Sequence, residues 1–425
     1  MTTTSLTLEE MTKVEGHAVL TLKITDGKVE DVHLRGIEGS RYFEGLLVHR
    51  AYNEASWLSA RICGICSCGH TVAAIEAMEN ALGVQSTQQT KDLRVLLTLG
   101  ERIRSHAAHL YFLALPDYLG APNAVAIAAD KPDAVKMAVA MMKLGNDMVR
   151  RIGGRDMHPE SATVGGWLHF PSQEAIGSLR ARLEELRPGA VATVELFSSL
   201  PYPELKHPSE NFSLHNEKEY VCLEGSIKSA DHEFAQKDFG KFVQEYHEPD
   251  QTANFVVREG HAFMVGALPR VANNFEQLSP DSKKMAKAGQ LMQNLDNPFY
   301  NNLAQAVELL DAFDQSIAML GRLKVKQEPL VDITFKECWG IAAIEVPRGT
   351  LWHEYELDAT GHIKRANIVT PTAQNLRSME EAIKLYLPQL LGKSREELVD
   401  GLETLVRSYD PCLSCAAHFL RVERL

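Results

Sequence analysis

The stretch Arg61-Ile62-Cys63-Gly64-Ile65-Cys66 has a counterpart near the other end of the chain, Asp410-Pro411-Cys412-Leu413-Ser414-Cys415. In each stretch two thiols stand three positions apart, a spacing that lets both sulfurs bind one metal ion from a single turn. Thiolates select soft or borderline metals such as zinc, nickel, copper(I) or iron. The two pairs predict a four-thiolate metal site that joins the first part of the chain to its last residues.

Spacing alone leaves three interpretations of these cysteines open: a structural zinc site, a functional redox metal, and coincidental buried thiols. Zinc ribbons and fingers usually place their pairs within tens of residues of each other, whereas here almost the whole chain intervenes. Arg61 and Asp410 beside the thiols supply charge and hydrogen-bond donors that a purely structural zinc site rarely needs. The flanking residues therefore favour a functional metal.

The composition is that of an ordinary globular protein. Of the 425 residues, 45% are hydrophobic and 24% are charged, and the net charge of -12 argues against a nucleic-acid partner. No apolar run approaches the ~18–20 residues needed to span a bilayer, and the first residues lack the basic and apolar regions of a signal peptide. The seven cysteines are an odd number, and most lie in the two motifs. We therefore expect metal ligation in a reducing, cytoplasmic compartment rather than disulfides.

Hydrophobic periodicity predicts long helices, with short strands near the N-terminus and again late in the chain. Alternating β-branched residues predict strands over 17–24 and 29–34, and later over 341–346, 351–357 and 363–369. The predicted helices are 46–58, 71–82, 92–115, 133–152, 172–200, 282–295, 303–323, 375–391 and 395–409.

Proline and glycine should shape three of these helices. Pro116 should end the helix over 92–115, and Gly153-Gly154 should close the next one. Pro188-Gly189 should kink or break the helix that follows. Between 201 and about 280 the periodicity is weak, so we expect an irregular insertion with short strands.

The order of elements predicts an α+β fold that is predominantly α, with a core of long helices and small β regions near the N-terminus and at about 340–370. Because the sequence shows no repeat or linker, we expect a single domain over 1–425. Its expected parts are a β-containing region over 1–60, a helical core over 61–200, the insertion over 201–280, and over 281–425 helices, a small sheet and the second cysteine motif.

Five sequence blocks resemble the large subunit of nickel–iron hydrogenases. The run from Tyr409 to His418 resembles that family's C-terminal signature, and the run from Arg61 to Cys66, with His70 behind it, resembles the N-terminal one. The other three blocks are Val14-Glu15-Gly16-His17, Val346-Pro347-Arg348-Gly349 and Thr370-Pro371-Thr372-Ala373-Gln374-Asn375. The resemblance implies that family's fold and the reversible heterolytic cleavage of H2 into protons and electrons. It is greatest to the cytoplasmic, NAD(P)-linked multimeric subclass, of the sulfhydrogenase or electron-bifurcating type.

The resemblance also implies roles for the cysteines and their neighbour Glu15. Cys63 and Cys412 would be terminal nickel ligands, and Cys66 and Cys415 would bridge nickel to an iron that carries CO and cyanide ligands. Glu15 would take the proton released when H2 splits. A thiolate that does not bridge can also act as the base, so Cys412 competes with Glu15 for this role.

Residues of the other blocks would surround the metals. Arg348, which follows Pro347 in its block, would lie over the metals as a fixed positive charge, and Thr372 would donate a hydrogen bond to a cyanide. Asp410 and Asp117 match acids that stand just outside the metal ligands. A second, magnesium-type site would use the side chains of Glu44 and His418 and the carbonyl of Ile368.

The sequence predicts that partner subunits carry the rest of the electron path. The chain has cysteines for one metal centre, no further cysteine motif for an electron-transfer chain and no Gly-rich dinucleotide fingerprint. We therefore expect an iron–sulfur small subunit and diaphorase-type subunits, which alone would hold iron–sulfur clusters, flavin and NAD(P). The expected final acceptors are NAD(P) and/or ferredoxin.

Two alternatives stand beside this interpretation. One is a nickel-free subunit of the complex I type, which shares the fold but generally lacks the four cysteines. The other is a zinc-stapled structural protein, which would contain zinc alone. The sequence departs from the family at Lys13, where arginine is usual, and at Tyr42, where glycine is usual. It also continues past His418, the position after which family precursors are commonly clipped.

Overall fold

The computed structural model describes residues 3–8, 11–26, 28–37, 39, 42–220, 222–248 and 251–417. Its α-helices are α1 (Phe43–Leu47), α2 (Glu54–Ser59), α3 (Ser67–Leu82), α4 (Gln88–Ala108), α5 (Leu115–Tyr118), α6 (Ala124–Asp130), α7 (Pro132–Gly153), α8 (Gln173–Ser198), α9 (Phe239–Phe242), α10 (Ala267–Asn274), α11 (Pro280–Ala288), α12 (Asn301–Arg322), α13 (Pro371–Leu390), α14 (Arg395–Ser408) and α15 (Leu413–Ala416). Its strands are β1 (Thr3–Leu8), β2 (Ala18–Thr25), β3 (Lys28–Gly36), β4 (Ala162–Thr163), β5 (Gly166–Trp167), β6 (Glu210–Asn211), β7 (Ser213–His215), β8 (Ser226–Lys228), β9 (Glu233–Phe234), β10 (Gln244–His247), β11 (Asn254–Val257), β12 (Phe263–Met264), β13 (Cys338–Val346), β14 (Gly349–Leu357) and β15 (Ile363–Val369).

The long helices pack in pairs to form the core. Helix α4 packs against α7, and α8 packs against α12, which also contacts α4. Their apolar faces belong to one continuous cluster of buried side chains that reaches from the N-terminal strands to α14. The α+β architecture with a core of long helices is the predicted one. Among the described helices, none combines the length and apolar character needed to cross a membrane.

Among the described residues, three antiparallel sheets have three strands each; β7-β8-β9 is a small one, and the other two have long strands. The order of the first long-stranded sheet is β1-β2-β3, and that of the second is β13-β14-β15. Strands β13 and β14 form a tight hairpin in which Val346 pairs with Gly349, so Pro347 and Arg348 are the two turn residues. The predicted strands are confirmed, and β1 is an additional strand that pairs with β2.

Helix α3 lies across β13 and β14 and brings the first cysteine pair to the hairpin tip. Gly69 in its first turn permits this approach, because a Cβ atom at that position would lie 2.2 Å from Cγ1 of Val346. Any larger residue would push helix and hairpin apart. The packing therefore fixes the distance between the N-terminal cysteine motif and the Arg348 turn.

The structure contradicts the predicted helix end at Pro116 and excludes a break of the helix at Pro188. Pro116 does not end a helix, because a π-helical segment, His109–Ala114, links α4 to α5 and places this proline in the first turn of α5. Proline lacks a backbone N–H, and a residue in the first turn of a helix does not need one for the helix's own hydrogen bonds. Pro188 lies inside α8, which runs unbroken from Gln173 to Ser198. The packing of α8 against α7 and α12 offsets the ~3 kcal/mol that an internal proline costs.

Other boundaries also differ from the predictions. The expected helix over 46–58 is two short helices, α1 and α2, and the helix expected over 282–295 ends at Ala288. The weakly periodic segment between 201 and 280 holds short paired strands, as expected. It also contains α10, which was not predicted.

Candidate metal centre

The sulfurs of the two cysteine pairs converge. Cys63, Cys66, Cys412 and Cys415 form a buried cluster of their own, with at most 4% of each residue exposed, and all four are free thiols. The Sγ atom of Cys412 lies 3.6 Å from that of Cys63 and 2.7 Å from that of Cys415. The sulfurs of Cys63, Cys412 and Cys415 all lie within 4.8 Å of one another. Such a buried set of reduced thiols fits a soft or borderline metal.

The N-terminal pair is held at the start of α3. Cys66 is the N-cap residue of α3, and its N–H donates to the Cys63 sulfur over 3.4 Å. In the first turn of α3, the backbone N–H groups of Cys68 and Gly69 donate to the Glu101 carboxylate of α4. Arg104, one turn further along α4, donates to the Ile65 carbonyl over 2.8 Å. Residues of α4 therefore hold the loop that carries both thiols.

The C-terminal pair is held against the N-terminal segment. Cys412 pairs with Glu15 in an isolated parallel bridge, and the Leu413 N–H donates to the Glu15 carbonyl over 2.9 Å. The Cys412 N–H donates to the Thr372 hydroxyl over 2.9 Å. Asp410, two residues before Cys412, has a φ of 52°, a left-handed conformation that is unusual for a residue other than glycine.

The thiols influence one another's ionisation. Hydrogen bonds from the Cys412 and Cys415 thiols hold the pKa of Cys63 well below its usual value. Burial raises the pKa of Cys412 and of Cys415 well above theirs, and the neighbouring sulfurs oppose a further negative charge. One thiolate thus forms easily and the others resist ionisation, a state that a bound cation relieves by replacing the remaining protons.

Glu15 contacts the cluster directly. Its Oε2 atom lies 3.0 Å from the Cys412 sulfur and also accepts the Ser414 N–H over 3.2 Å. The residue is half-buried. A carboxylate at this distance from a thiol can accept its proton without any movement of the backbone.

Arg348 contacts a different sulfur. Its Nη1 atom donates to the Cys66 sulfur over 3.2 Å, and its Nη2 atom lies 3.0 Å from Oδ1 of Asp410. The Nε atom donates to the Asp410 backbone carbonyl over 2.9 Å. Gln305 holds the other oxygen of this carboxylate through a 3.0 Å hydrogen bond. Arg348 is only 4% exposed, so its charge acts in a dry environment.

The structure places Asp117 in a separate ion pair. Lys13 lies 2.5 Å from its Oδ1 atom, and Arg407 binds both of its oxygens over 2.8–2.9 Å. The carboxylate that pairs with Arg348 is therefore that of Asp410. Lys13, at a position where the resemblance leads one to expect arginine, serves as a cationic partner of Asp117.

Two of the three residues expected at the magnesium-type site lie together. The Ile368 N–H donates to Oε1 of Glu44 over 2.7 Å, and burial raises the pKa of Glu44 to about 8. A buried carboxylate of this kind suits a cation, because a bound cation would stabilise its charged form. His418 lies outside the described residues, as does the segment over 419–425.

Several residues that support the site lie outside the five sequence blocks. Arg270 in α10 donates to the backbone carbonyls of Val346 and Pro347, just before Arg348. His109, in the π-helical segment, contacts the Gln305 side chain over 2.6 Å. These residues lie far apart along the chain and belong to no local pattern. The sequence signal nearest to them was Glu345, which directly precedes the Val-Pro-Arg-Gly block and pairs with Arg270 in the structure.

Comparisons with known proteins agree with this geometry. The family profile described as nickel-dependent hydrogenase matches residues 41–152 and 262–418. The sulfhydrogenase 1 subunit alpha of Pyrococcus furiosus is 33% identical, over 98% of this chain and 98% of its own. The subunit beta of the NAD-reducing hydrogenase HoxS of Cupriavidus necator is 25% identical, over 98% of this chain and 95% of its own.

Solved structures show the same fold. A structure of an NAD+-reducing [NiFe]-hydrogenase in its H2-reduced state superposes with a TM-score of 0.87 at 25% identity, covering 98% of this chain and 99% of that one. The Ni-Fe-Se hydrogenase of D. vulgaris Hildenborough gives a TM-score of 0.83 at 22% identity, with coverage of 98% and 100%. With its four buried thiols in place, this chain belongs to the nickel-dependent hydrogenase family and is a catalytic large subunit, an oxidoreductase that acts on H2.

Proposed function

We propose that this chain splits H2 at a nickel–iron centre held by its four clustered cysteines and passes the electrons to an iron–sulfur small subunit in a cytoplasmic complex. The observation that carries the proposal is the buried four-sulfur cluster, with a carboxylate 3.0 Å from one sulfur and a guanidinium 3.2 Å from another. Because the site draws on residues near both ends of the chain, we also propose that residues 1–425 act as one catalytic domain.

The four thiols would divide the metals between them. Cys63 and Cys412 would bind nickel alone, and Cys66 and Cys415 would bridge nickel and iron. The iron would carry the CO and cyanide ligands. Thr372 accepts the Cys412 N–H through its hydroxyl oxygen, so the hydroxyl hydrogen can point at a cyanide. When bound, the centre supplies a Lewis acid that polarises H2 and a sink for its electrons.

Glu15 would receive the proton. Within the cluster, the Cys412 sulfur is the one that contacts Glu15, and the 3.0 Å distance would let a proton pass from this sulfur to Glu15 Oε2. The Ser414 N–H donates to the same oxygen and holds it in place beside the sulfur. Cys412 would thus act as the first base and Glu15 as the exit.

Arg348 would supply fixed charge over the cluster. Its guanidinium cannot lose a proton at physiological pH and is held by Asp410 through both its carboxylate and its carbonyl. It therefore stabilises negative charge that develops near Cys66 and does not compete for the proton. Pro347, beside it in the turn, would narrow the space above the metals.

The Glu44 carboxylate and the Ile368 backbone would form part of a magnesium-type site, with His418 as a further ligand. In the structure the Ile368 N–H occupies one oxygen of Glu44. A divalent ion would use carboxylate and carbonyl oxygens, the ligands that Mg2+ prefers.

The small subunit would dock on the face beside the first cysteine pair. Trp57, Ile65 and Met157 are 51%, 36% and 44% exposed, and Ile65 lies between the two cysteines of the pair. Arg61 stacks on Trp57 at 5.2 Å, and His158 contacts the Ala60 carbonyl over 2.9 Å. Exposed aromatic and apolar residues beside a metal centre suit a partner surface that brings an electron acceptor close.

Electrons would continue from the small subunit to NAD(P) and/or ferredoxin through diaphorase-type subunits. Two relatives carry NAD reduction in their printed names, and the match to both covers nearly the whole chain. The four cysteines argue against a nickel-free subunit of the complex I type.

Metal analysis of the protein purified with its partners tests the proposal. We expect nickel and iron together, and reduction of an artificial electron acceptor that depends on H2. Zinc as the sole metal, with no such reduction, would contradict it.

A further inference from the structure

A buried charged network lies behind the Arg348 turn. Arg270, Glu308 and Glu345 are each at most 1% exposed, although they come from α10, α12 and β13. Tyr220 donates to Glu308 over 2.5 Å, and His106 contacts the same carboxylate over 2.8 Å. Buried charges carry a large desolvation cost, so such a group is weak evidence for stability alone.

Every donor of the Arg270 guanidinium is in use. Its Nε and Nη2 atoms bind the two oxygens of Glu308 over 2.6 and 2.7 Å, and its Nη1 atom binds Glu345 over 2.9 Å. The remaining two hydrogens go to the carbonyls of Val346 and Pro347, over 2.7 and 2.8 Å. Arginine presents five N–H groups in a rigid plane, so this arrangement fixes the orientation of both carbonyls.

The two carbonyls immediately precede Arg348 at the tip of the β13–β14 hairpin. The tip is also held from its other end, because Gly349 has a φ of 136° and a Cβ atom there would lie 2.6 Å from Cγ2 of Val265. Val265 and Gly266 lead directly into α10, which carries Arg270. The start of α10 therefore contacts the turn on both sides of Arg348.

We propose that Arg270 is a positioning residue for the hydrogenase centre: it holds the backbone of the Arg348 turn, so that the Arg348 guanidinium stays against the Cys66 sulfur. Glu308 and Glu345 orient Arg270 in turn. The inference rests on the proposed function, in which Arg348 supplies fixed charge over the metals. Lysine cannot replace Arg270, because its three donors radiate from one atom and cannot bind two carboxylates and two carbonyls in one plane.

Infrared spectra of the CO and cyanide stretching bands test this role in the complex purified with its metals. Arg270→Lys should shift the bands away from their wild-type positions, in the same sense as Arg348→Lys. Its kcat for H2 oxidation should fall about 10²-fold with the KM for H2 unchanged, the effect expected when a catalytic group moves by about 1 Å.

Arg94→Lys is the matched control. Arg94 is also fully buried and bonds to two glutamates, Glu76 and Glu79, but it contacts neither the hairpin tip nor the cysteines. Both lysine variants should lose thermal stability, whereas Arg94→Lys should keep wild-type bands and kcat. Band shifts of equal size in the two variants would overturn the proposal, because the loss of any buried arginine would then be enough to shift the bands.

Two further outcomes are decisive. If Arg270→Lys yields no metal-loaded protein, Glu308→Gln replaces it, since an amide cannot accept both hydrogen bonds from Nε and Nη2 and must reorient Arg270. We expect a smaller shift of the same bands, and wild-type bands in that variant would overturn the inference. A wild-type complex without CO and cyanide bands would instead contradict the proposed function.

Discussion

At the scale of single residues, the proposed function would assign proton handling and charge handling to two different sulfurs. Glu15 contacts Cys412, and Arg348 contacts Cys66. A titratable acceptor thus stands beside one thiol and a group that cannot titrate beside another. In the proposed function, this separation would let the cluster lose a proton while the positive charge near it stays constant.

Glu15→Gln tests the proton path. Glutamine keeps the size and the hydrogen bond of Glu15 but cannot take up the proton, so folding and metal loading should survive. Turnover with an artificial acceptor should fall by ~10²–10⁴, the usual contribution of a positioned acid or base. Glu54→Gln, which changes a half-buried glutamate of α2 outside the cluster, should leave turnover unchanged. Near-wild-type turnover in a fully loaded Glu15→Gln protein would move the proton path elsewhere.

Cys415→Ser tests the metal ligands. Its sulfur lies in the cluster, so a hydroxyl in its place should prevent stable binding of both metals, as measured by elemental analysis of the purified chain. Cys338→Ser is the control, because Cys338 is a half-buried thiol outside the cluster. Retention of nickel and iron by Cys415→Ser at the wild-type ratio would refute the assignment of this ligand.

At the scale of elements, the site depends on how α3 meets the β13–β14 hairpin. Gly69→Ala should lower the free energy of unfolding by ~1–3 kcal/mol, because the new Cβ would overlap Val346. The double variant Gly69→Ala/Val346→Ala should regain part of the lost free energy of unfolding, because the smaller side chain at 346 makes room for the new Cβ. Gly177→Ala, in the exposed part of α8 with no atom within 4 Å of the new Cβ, should raise stability by ~0.4–1 kcal/mol. Urea unfolding curves measure the stability of all three variants. An unchanged free energy of unfolding in Gly69→Ala would show that helix and hairpin are not in tight contact.

Local sequence patterns predicted most of these elements. The long helices and the β13–β15 sheet follow from periodicity, and the left-handed Gly154 ends α7 as its glycines indicated. The helix end predicted at Pro116 was wrong because no local pattern records the π-helical segment before it, which packs against α12 and α14. The motifs likewise predicted the cysteines and Arg348. Arg270 could not be predicted, since its partners are fixed only by the folded chain.

At the scale of the whole molecule, the proposed docking of the small subunit on the face beside the first cysteine pair can be tested by charge substitutions. Trp57→Glu and Met157→Glu should each abolish co-purification of the small subunit, because they place a charge in the proposed interface. Leu385→Glu changes an equally exposed residue of α13 and should leave the complex intact. Metal content should stay at the wild-type level in all three variants. Intact complexes in both interface variants would require another docking surface.

Isotope exchange tests the central claim most directly. The metal-loaded complex, kept under D2 in ordinary water without an electron acceptor, should release HD, because heterolytic cleavage lets a deuteron exchange with a solvent proton. The same preparation of Cys63→Ser should release none. Absence of HD from a wild-type complex that contains nickel and iron would contradict the account.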